Sequence, residues 1–267
     1  LDADTNDSLV ETDRDIDLHP DSDEPDERGF RTLVASRTYV RGGATLNRQI
    51  LGDVSATFNG EVEHNVGRSL VGLDEAALEP LVRNSTSNTA HLGVALNGDK
   101  GKWRWSGTGN ADLARSLTRT DRENESERAR SRTFTKSADV DLTAYGPLFK
   151  LPAGDASMTV RVGASTFNLD SERRDADDFS ENELSRTRGS ASANVDLPVS
   201  RRNRDFSALG NLTLSANATV EQLSDFGTLT TVGAGLNWSP VDRLNFLASW
   251  TREEGAPSVS QLGDPIL

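Results

Sequence analysis

Between Asp53 and Asn65 every second residue is apolar or small (Val54, Ala56, Phe58, Gly60, Val62), while Asp53, Ser55, Thr57, Asn59, Glu61 and Glu63 stand between them. A period of two gives an extended chain two unlike faces, so this segment reads as a β-strand with one apolar and one polar side. The same rhythm predicts strands from Ser36 to Asn47, Thr86 to Asn97, Lys102 to Ser116, Phe134 to Tyr145 and Ala156 to Asn168. Further ones run from Thr187 to Leu197, Asn211 to Leu223, Thr228 to Ser239 and Leu244 to Glu253, about ten strands in all. In the first, Thr38, Val40, Gly42, Ala44 and Leu46 alternate with Arg37, Tyr39, Arg41 and Thr45.

The connections carry a second pattern. Most turns after the odd-numbered strands are short, while those after the second, fourth and sixth are long and charged; the SDFG link after the eighth is the exception. Gly98 to Gly101 (GDKG) spells a tight hairpin, because glycine reaches the positive φ values such turns need. The stretches Thr118 to Arg132 and Asp170 to Glu183 read as solvated loops of mixed charge. Short turns at one end and long loops at the other are the arrangement of outer-membrane barrels, with the short turns on the periplasmic side.

The charge on the apolar faces tests this reading. A Lys or Arg facing lipid at the bilayer midplane costs about 2–4 kcal/mol, falling to about 0–1 kcal/mol near the interfaces. No such residue falls at mid-strand; His64, Lys136 and Arg252 share the apolar parity but lie next to loops. Trp103 and Trp105 sit beside the GDKG turn, where amphipathic rings belong at a membrane interface. The expected fold is therefore all-β, a transmembrane antiparallel up-and-down β-barrel of which about ten strands are seen. The membrane expected to hold it is the outer membrane of a Gram-negative bacterium.

Composition changes this picture little. Only 34% of the 267 residues are hydrophobic, and mean hydropathy is −0.55, but a barrel exposes one face of each strand to lipid and keeps the other polar. No run of eighteen apolar residues and no leader pattern occurs, so neither a membrane helix nor a signal peptide is expected. Cysteine is absent, which excludes disulfides and thiolate metal sites. Of the net charge of −13, residues 1–28 hold −10, with twelve acidic side chains against Arg14 and Arg28. Residues 1–30 are accordingly expected to be an acidic extracellular loop or disordered segment, and residues 31–267 the barrel. The spaced carboxylates Asp2, Asp4, Asp21 and Asp23 suggest calcium, but the glycine and closing glutamate of an EF-hand loop are missing. An acidic chain without a clustered basic surface argues against nucleic acid as a partner.

Three stretches resemble the barrel of TonB-dependent outer-membrane receptors: RTYVRGGATLNRQILGDVSATFNGEVEHN (37–65), GPLFKLPAGDASMTVRVGAS (146–165) and SDFGTLTTVGAGLNWSPVDRLNFLASWTREEGAPSVSQLGDP (224–265). The resemblance implies a barrel of twenty-two strands with a plug domain inside it, of which this chain would be an internal barrel fragment. It further implies TonB-energised uptake of a scarce ligand such as an iron-siderophore, a vitamin or a glycan. Outer-membrane lipid, the plug and the TonB complex would be the partners.

Chemistry on the polar side is diffuse. The histidines are His19, His64 and His91, and only His91 has polar parity. With Ser87 and Thr89 it suggests hydrolysis of the outer-membrane phospholipase kind, but no orienting partner is evident. No catalytic, cofactor-binding or metal-binding residue is assigned, no cofactor is expected, and the chain is read as not an enzyme. The lumen candidates for contact with a plug or an anionic ligand are Arg37, Tyr39, Arg41, His91, Arg104, Arg161 and Arg188, since guanidinium forks suit carboxylates. Their competing role is pairing with lumen acids such as Asp53, Glu61, Glu63, Asp112 and Asp139. The alternative functions are a passive porin-like channel and a secreted β-rich adhesin or binding module.

Overall fold

The structure is a computed structural model that describes residues 2–10, 28–74, 79–123, 127–175 and 178–258. His19, Asp21 and Asp23 lie outside the described residues. The strands are β1 (Asp2–Asn6), β2 (Leu9–Val10), β3 (Thr32–Val34), β4 (Ser36–Leu51), β5 (Val54–Asp74), β6 (Glu79–Lys100) and β7 (Trp103–Thr120). They continue with β8 (Ala129–Leu151), β9 (Gly154–Asp175), β10 (Asp178–Ser200), β11 (Asn211–Leu223), β12 (Gly227–Ser239) and β13 (Phe246–Glu253). Arg28–Phe30 forms a single 3-10 turn.

Eleven strands form one antiparallel sheet in the order β1-β4-β5-β6-β7-β8-β9-β10-β11-β12-β13, and β2 pairs with β3 beside it. All ten expected strands are present, each joined to its neighbour in sequence. The sheet is the up-and-down architecture of an outer-membrane barrel wall, with β1 and β13 at its two edges among the described residues.

Cross-strand register keeps the two faces separate across the whole sheet. Arg41 opposes Glu63, and Glu63 opposes Thr89; His91 opposes Asp112, which opposes Ser137. On the other face Leu46 opposes Phe58, which opposes Val94. No protein layer covers this second face. Leu46, Val62, Leu92, Val140, Leu142 and Val162 are each more than half exposed, and the only buried hydrophobic residues among those described are Ala56, Leu73, Ala153, Ala156 and Leu223. A soluble sheet protein hides its apolar face against a second layer. This one leaves it open along its length, so the surrounding medium must be apolar.

The apolar belt also crosses the sheet at a slant. The hydrogen-bonding row through Ala216, at the middle of the apolar run of β11, passes Val195, Met158 and Gly146. Past Trp103, which lies over Gly146, it reaches Lys100, at the end of β6. The apolar run of β6 centres instead on Leu92 and Val94. The belt therefore shifts by roughly 1.2–1.6 residues per strand, which at a rise of ~3.3 Å and a spacing of ~4.8 Å is a tilt of about 40–50°. Strands of closed barrels tilt by about 35–45°.

Strand length differs from expectation. β5, β6, β8, β9 and β10 run to between 21 and 23 residues, whereas about 9–11 tilted residues cross a bilayer. The segments expected as charged loops are largely paired ribbons. Asp170 opposes Glu183 and Asp175 opposes Asp178, Thr120 opposes Ala129, and Asp74 opposes Glu79. Backbone pairing does not require apolar side chains, so the ladder continues into water after the membrane pattern has ended. Asp2–Asn6, expected as part of a loop or disordered segment, is likewise a strand, opposing Arg41 to Arg37 on β4.

The other end is built from short turns. Gly52 and Gly101 take φ of 52° and 65° there, the latter in the expected GDKG hairpin. Pro147 and Pro198 sit at register shifts near these turns, where a missing N–H is tolerated. Trp103 and Trp105 lie flat over Gly146 and Gly98, whose added Cβ atoms would sit 2.4 and 2.8 Å from the rings.

The opposite facing of sequence neighbours is testable. Val94→Arg, on the open apolar face, is expected to lower unfolding stability in lipid vesicles by about 2–4 kcal/mol. Ala95→Arg, one residue along on the polar face, is expected to cost less than about 1 kcal/mol in the same denaturant titration.

Candidate functional site: the polar face

The residues that give this protein a chemistry lie on the polar face, where alternation places them in rows and neighbouring strands supply their partners. At β4–β6, Arg41 pairs with Glu61 and reaches Glu63 at 3.5 Å. The Tyr39 hydroxyl donates to Glu63 at 2.9 Å and the Thr89 hydroxyl donates to the same carboxylate at 3.2 Å. Arg37 donates to the Asn65 side chain at 2.8 Å and stacks over the Tyr39 ring. Arg37, Tyr39 and Arg41 thus belong to one network, and the alternating Asp2, Asp4 and Asn6 of β1 lie in register beside them.

His91 stands apart from that network. Its Nδ1 lies 2.7 Å from Asp112 Oδ1, an orienting carboxylate that only the cross-strand register reveals. Among the described residues no Ser or Thr hydroxyl meets the ring, and no three His, Asp or Glu side chains converge on a metal-sized site. Arg104 is at the short-turn end, 3.6 Å from Asp99 and mostly in solvent. Arg161 donates to Asp141 at 2.9 Å, and Arg188 pairs with Glu221. These two pairs line a common cavity with Ser190 and Ser192, so Arg161 and Arg188 come together while His91 and Arg104 join neither cluster.

The most elaborate contact on this face involves a residue the sequence reading passed over. Arg186 grips Asp225 through Nε and Nη2, with distances of 2.6 to 3.0 Å, and stacks over Phe226. Its Nη1 donates to the backbone carbonyl of Pro257 at 2.8 Å. The segment after β13 is held at a second point, where Glu254 accepts from the Thr230 amide and hydroxyl at 3.0 and 2.9 Å. The Arg186 contact and the cavity over Arg186, Arg188 and Glu221 place residues 255–258 against the polar face. Arg186 and Arg188 share a parity, but Arg186 falls just outside the expected strand, which hid the signal.

Charge pairing sets the titration of the groups outside the membrane. Hydrogen bonds from Arg186 hold the Asp225 carboxyl below the usual carboxylate range, against a smaller upward push from burial. Hydrogen bonds from Thr230 lower Glu254 in the same way.

No protein-family profile and no curated protein match this sequence. Among solved structures, the chain is similar to the translocator domain of the autotransporter NalP from Neisseria meningitidis, with 11% identity and a TM-score of 0.36 over 84% of this chain and 77% of that one. It is also similar to the β domain of the Bordetella autotransporter BrkA, with 12% identity and a TM-score of 0.38 over 85% and 87% of the two chains. These values are too low to place the chain in the autotransporter family.

They do correct the expectation drawn from sequence resemblance. The structural neighbours are autotransporter domains rather than TonB-dependent receptors. The receptor assignment is therefore withdrawn, and with it the plug, the TonB complex, the siderophore-type ligand and the uptake function. The porin-like channel and the secreted adhesin do not match these neighbours either. The stretches that carried the resemblance are alternating strands and tight turns, which transmembrane barrels share. The outer-membrane localisation stands, because it rests on the uncovered apolar face and the slanted belt.

The Asp225 pair predicts a pH dependence with a definite sign. A carboxyl whose folded pKa lies below its unfolded value of about 3.9 stabilises the fold above that value and loses the contribution as pH falls through the folded one. Thr187 donates its amide to Ser224, and Ser224 its amide to Thr187, beside this pair. Hydrogen-exchange protection of both amides is expected to fall on acidification below pH ~4, and in Asp225→Asn to be lower from the outset and nearly flat over the same range.

Proposed function

We propose that this chain forms part of the wall of a translocating outer-membrane pore, with its polar face bounding a water-filled passage for polar cargo. The observation that carries the reading is the division of one continuous sheet into an uncovered apolar face and a polar face of paired charges. In lipid every backbone polar group must be bonded internally, which a sheet of consecutive antiparallel strands achieves everywhere between its two edges, β1 and β13.

The polar face suits passage better than catalysis. Arg41, Arg161 and Arg188 are paired across strands with carboxylates, which leaves a hydrated surface of matched charges in place of a convergent nucleophile and base. The contact from Arg186 to the Pro257 carbonyl favours polypeptide as the cargo class, because irregular backbone already rests on this face through a guanidinium–carbonyl bond. An extended cargo chain would meet the same donors.

Since the chain has no cysteine, single labels report each face cleanly. In vesicles, a spin label at Ser190→Cys is expected to be quenched by a water-soluble nickel chelate, and one at Ala216→Cys by dissolved oxygen. Equal access of the chelate to both positions would overturn the pore reading.

A further inference from the structure

Besides its polar passage, the wall carries a second chemical feature on the lipid-facing side, at the end where the paired ribbons leave the membrane. An apolar cleft opens there, lined by Val62, Ala90, Leu113 and Phe134, with His64 and Arg115 on its lip. Beyond that lip the outward faces of β7 and β8 carry only basic charge: Arg115 and Arg119 on one strand, Arg130, Arg132 and Lys136 on the other.

Two observations set these cations apart from the carboxylate-paired arginines of the polar face. Arg119 directly opposes Arg130, and Arg130 directly opposes Arg174; like charges facing each other across a ladder destabilise it. The polar-face arginines Arg41, Arg104, Arg161, Arg186 and Arg188 each have a carboxylate partner. Among the described residues Arg115, Arg119, Arg130 and Arg132 have none. Asp170 and Glu172 of β9 oppose Phe134 and Arg132 on the same face and, with Glu181 and Glu183 of β10, share a cavity with them; none of the four forms an ion pair with these cations among the described residues. Lys136 lies over the Phe134 ring at 4.5 Å.

We propose that this cleft and its basic rim bind a phosphate-bearing acyl lipid of the surrounding membrane. An acyl chain would lie along Val62, Ala90 and Leu113, and the phosphate would sit among Arg115, Arg119 and Arg130, relieving their mutual repulsion. Guanidinium groups are suited to this, since they hold phosphate oxygens through paired N–H donors. The height fits as well: the basic groups begin where the apolar belt ends, at the level of the headgroups. The inference rests on the apolar face meeting lipid but is independent of what passes along the other face.

The test uses the full chain in detergent micelles, with dioleoyl phosphatidic acid, dioleoyl phosphatidylcholine or inorganic phosphate as probe and retained lipid counted by native mass spectrometry. Wild type is expected to retain phosphatidic acid about tenfold over phosphatidylcholine, in keeping with several basic groups acting on one anionic head. The double variant R115Q/R130Q is expected to lose that preference, and R115K/R130K to recover most of it. Ala90→Trp, which fills the cleft and keeps every cation, is expected to lose the lipid. Heat-modifiable gel mobility confirms that each variant is folded. Equal retention of the two lipids by wild type, an unchanged preference in folded R115Q/R130Q, or complete displacement by inorganic phosphate would each overturn the proposal. Membrane insertion with normal label accessibility but no lipid preference would sink this inference alone.

Discussion

The structure depends on one constraint: a sheet with nothing of its own to cover its apolar face must satisfy all its polar backbone groups by itself and leave the hydrophobic burial to its surroundings. Soluble folds collapse around a core, and this one has almost none. Consecutive antiparallel strands answer the first demand and lipid the second. The other features follow. The faces stay separate through the register because a one-residue slip would turn every charged side chain into lipid. The belt runs aslant because tilted strands meet a level membrane at successively shifted positions. Arg41, Arg161 and Arg188 of the polar face are paired with carboxylates because, beside a low-dielectric wall, an unpaired charge is costly.

Much of this was legible in the chain. Alternation located all ten of the expected strands, since the bilayer imposes a period of two on whatever crosses it. It also placed Arg37, Tyr39, Arg41, His91, Arg104, Arg161 and Arg188 on one face. Partners were harder to read. The pairing of His91 with Asp112, or of Arg161 with Asp141, depends on which residue lies across the ladder, and register emerges only when turns and bulges are fixed. Outside the bilayer the alternation of apolar residues lapses, so Asp170 to Glu183 looked like a loop although it forms a ladder, and Arg186 was missed at its border. Asp2, Asp4 and Asn6 show the same difficulty in reverse: acidic composition suggested disorder, while their spacing was already that of a strand facing Arg41, Tyr39 and Arg37.

The corrected resemblance has a physical origin. Strand alternation, small residues on the lipid face, a tryptophan beside a tight turn and charged hairpin tips are what the bilayer demands of any barrel wall. Segments such as GLNWSPVDRLNFLASWTREE satisfy those demands, and satisfying them says little about which barrel is being built. What marks this wall is local: the basic stretch on β7 and β8, the cleft under it, and the grip of Arg186 on Asp225 and Pro257.

The ribbons that stand above the membrane are of unequal height. β10 continues from Thr187 back to Asp178 in pairing with β9, but its other neighbour, β11, ends at Leu223, and the chain turns at once through Ser224, Asp225 and Phe226. On that flank the parapet is lower by roughly nine residues, or about 30 Å of ladder. The chain beyond β13 comes to this flank, where Arg186 holds the Pro257 carbonyl. Among the described residues the rim is therefore asymmetric, and its low flank is the place where residues 255–258 lie over the polar face.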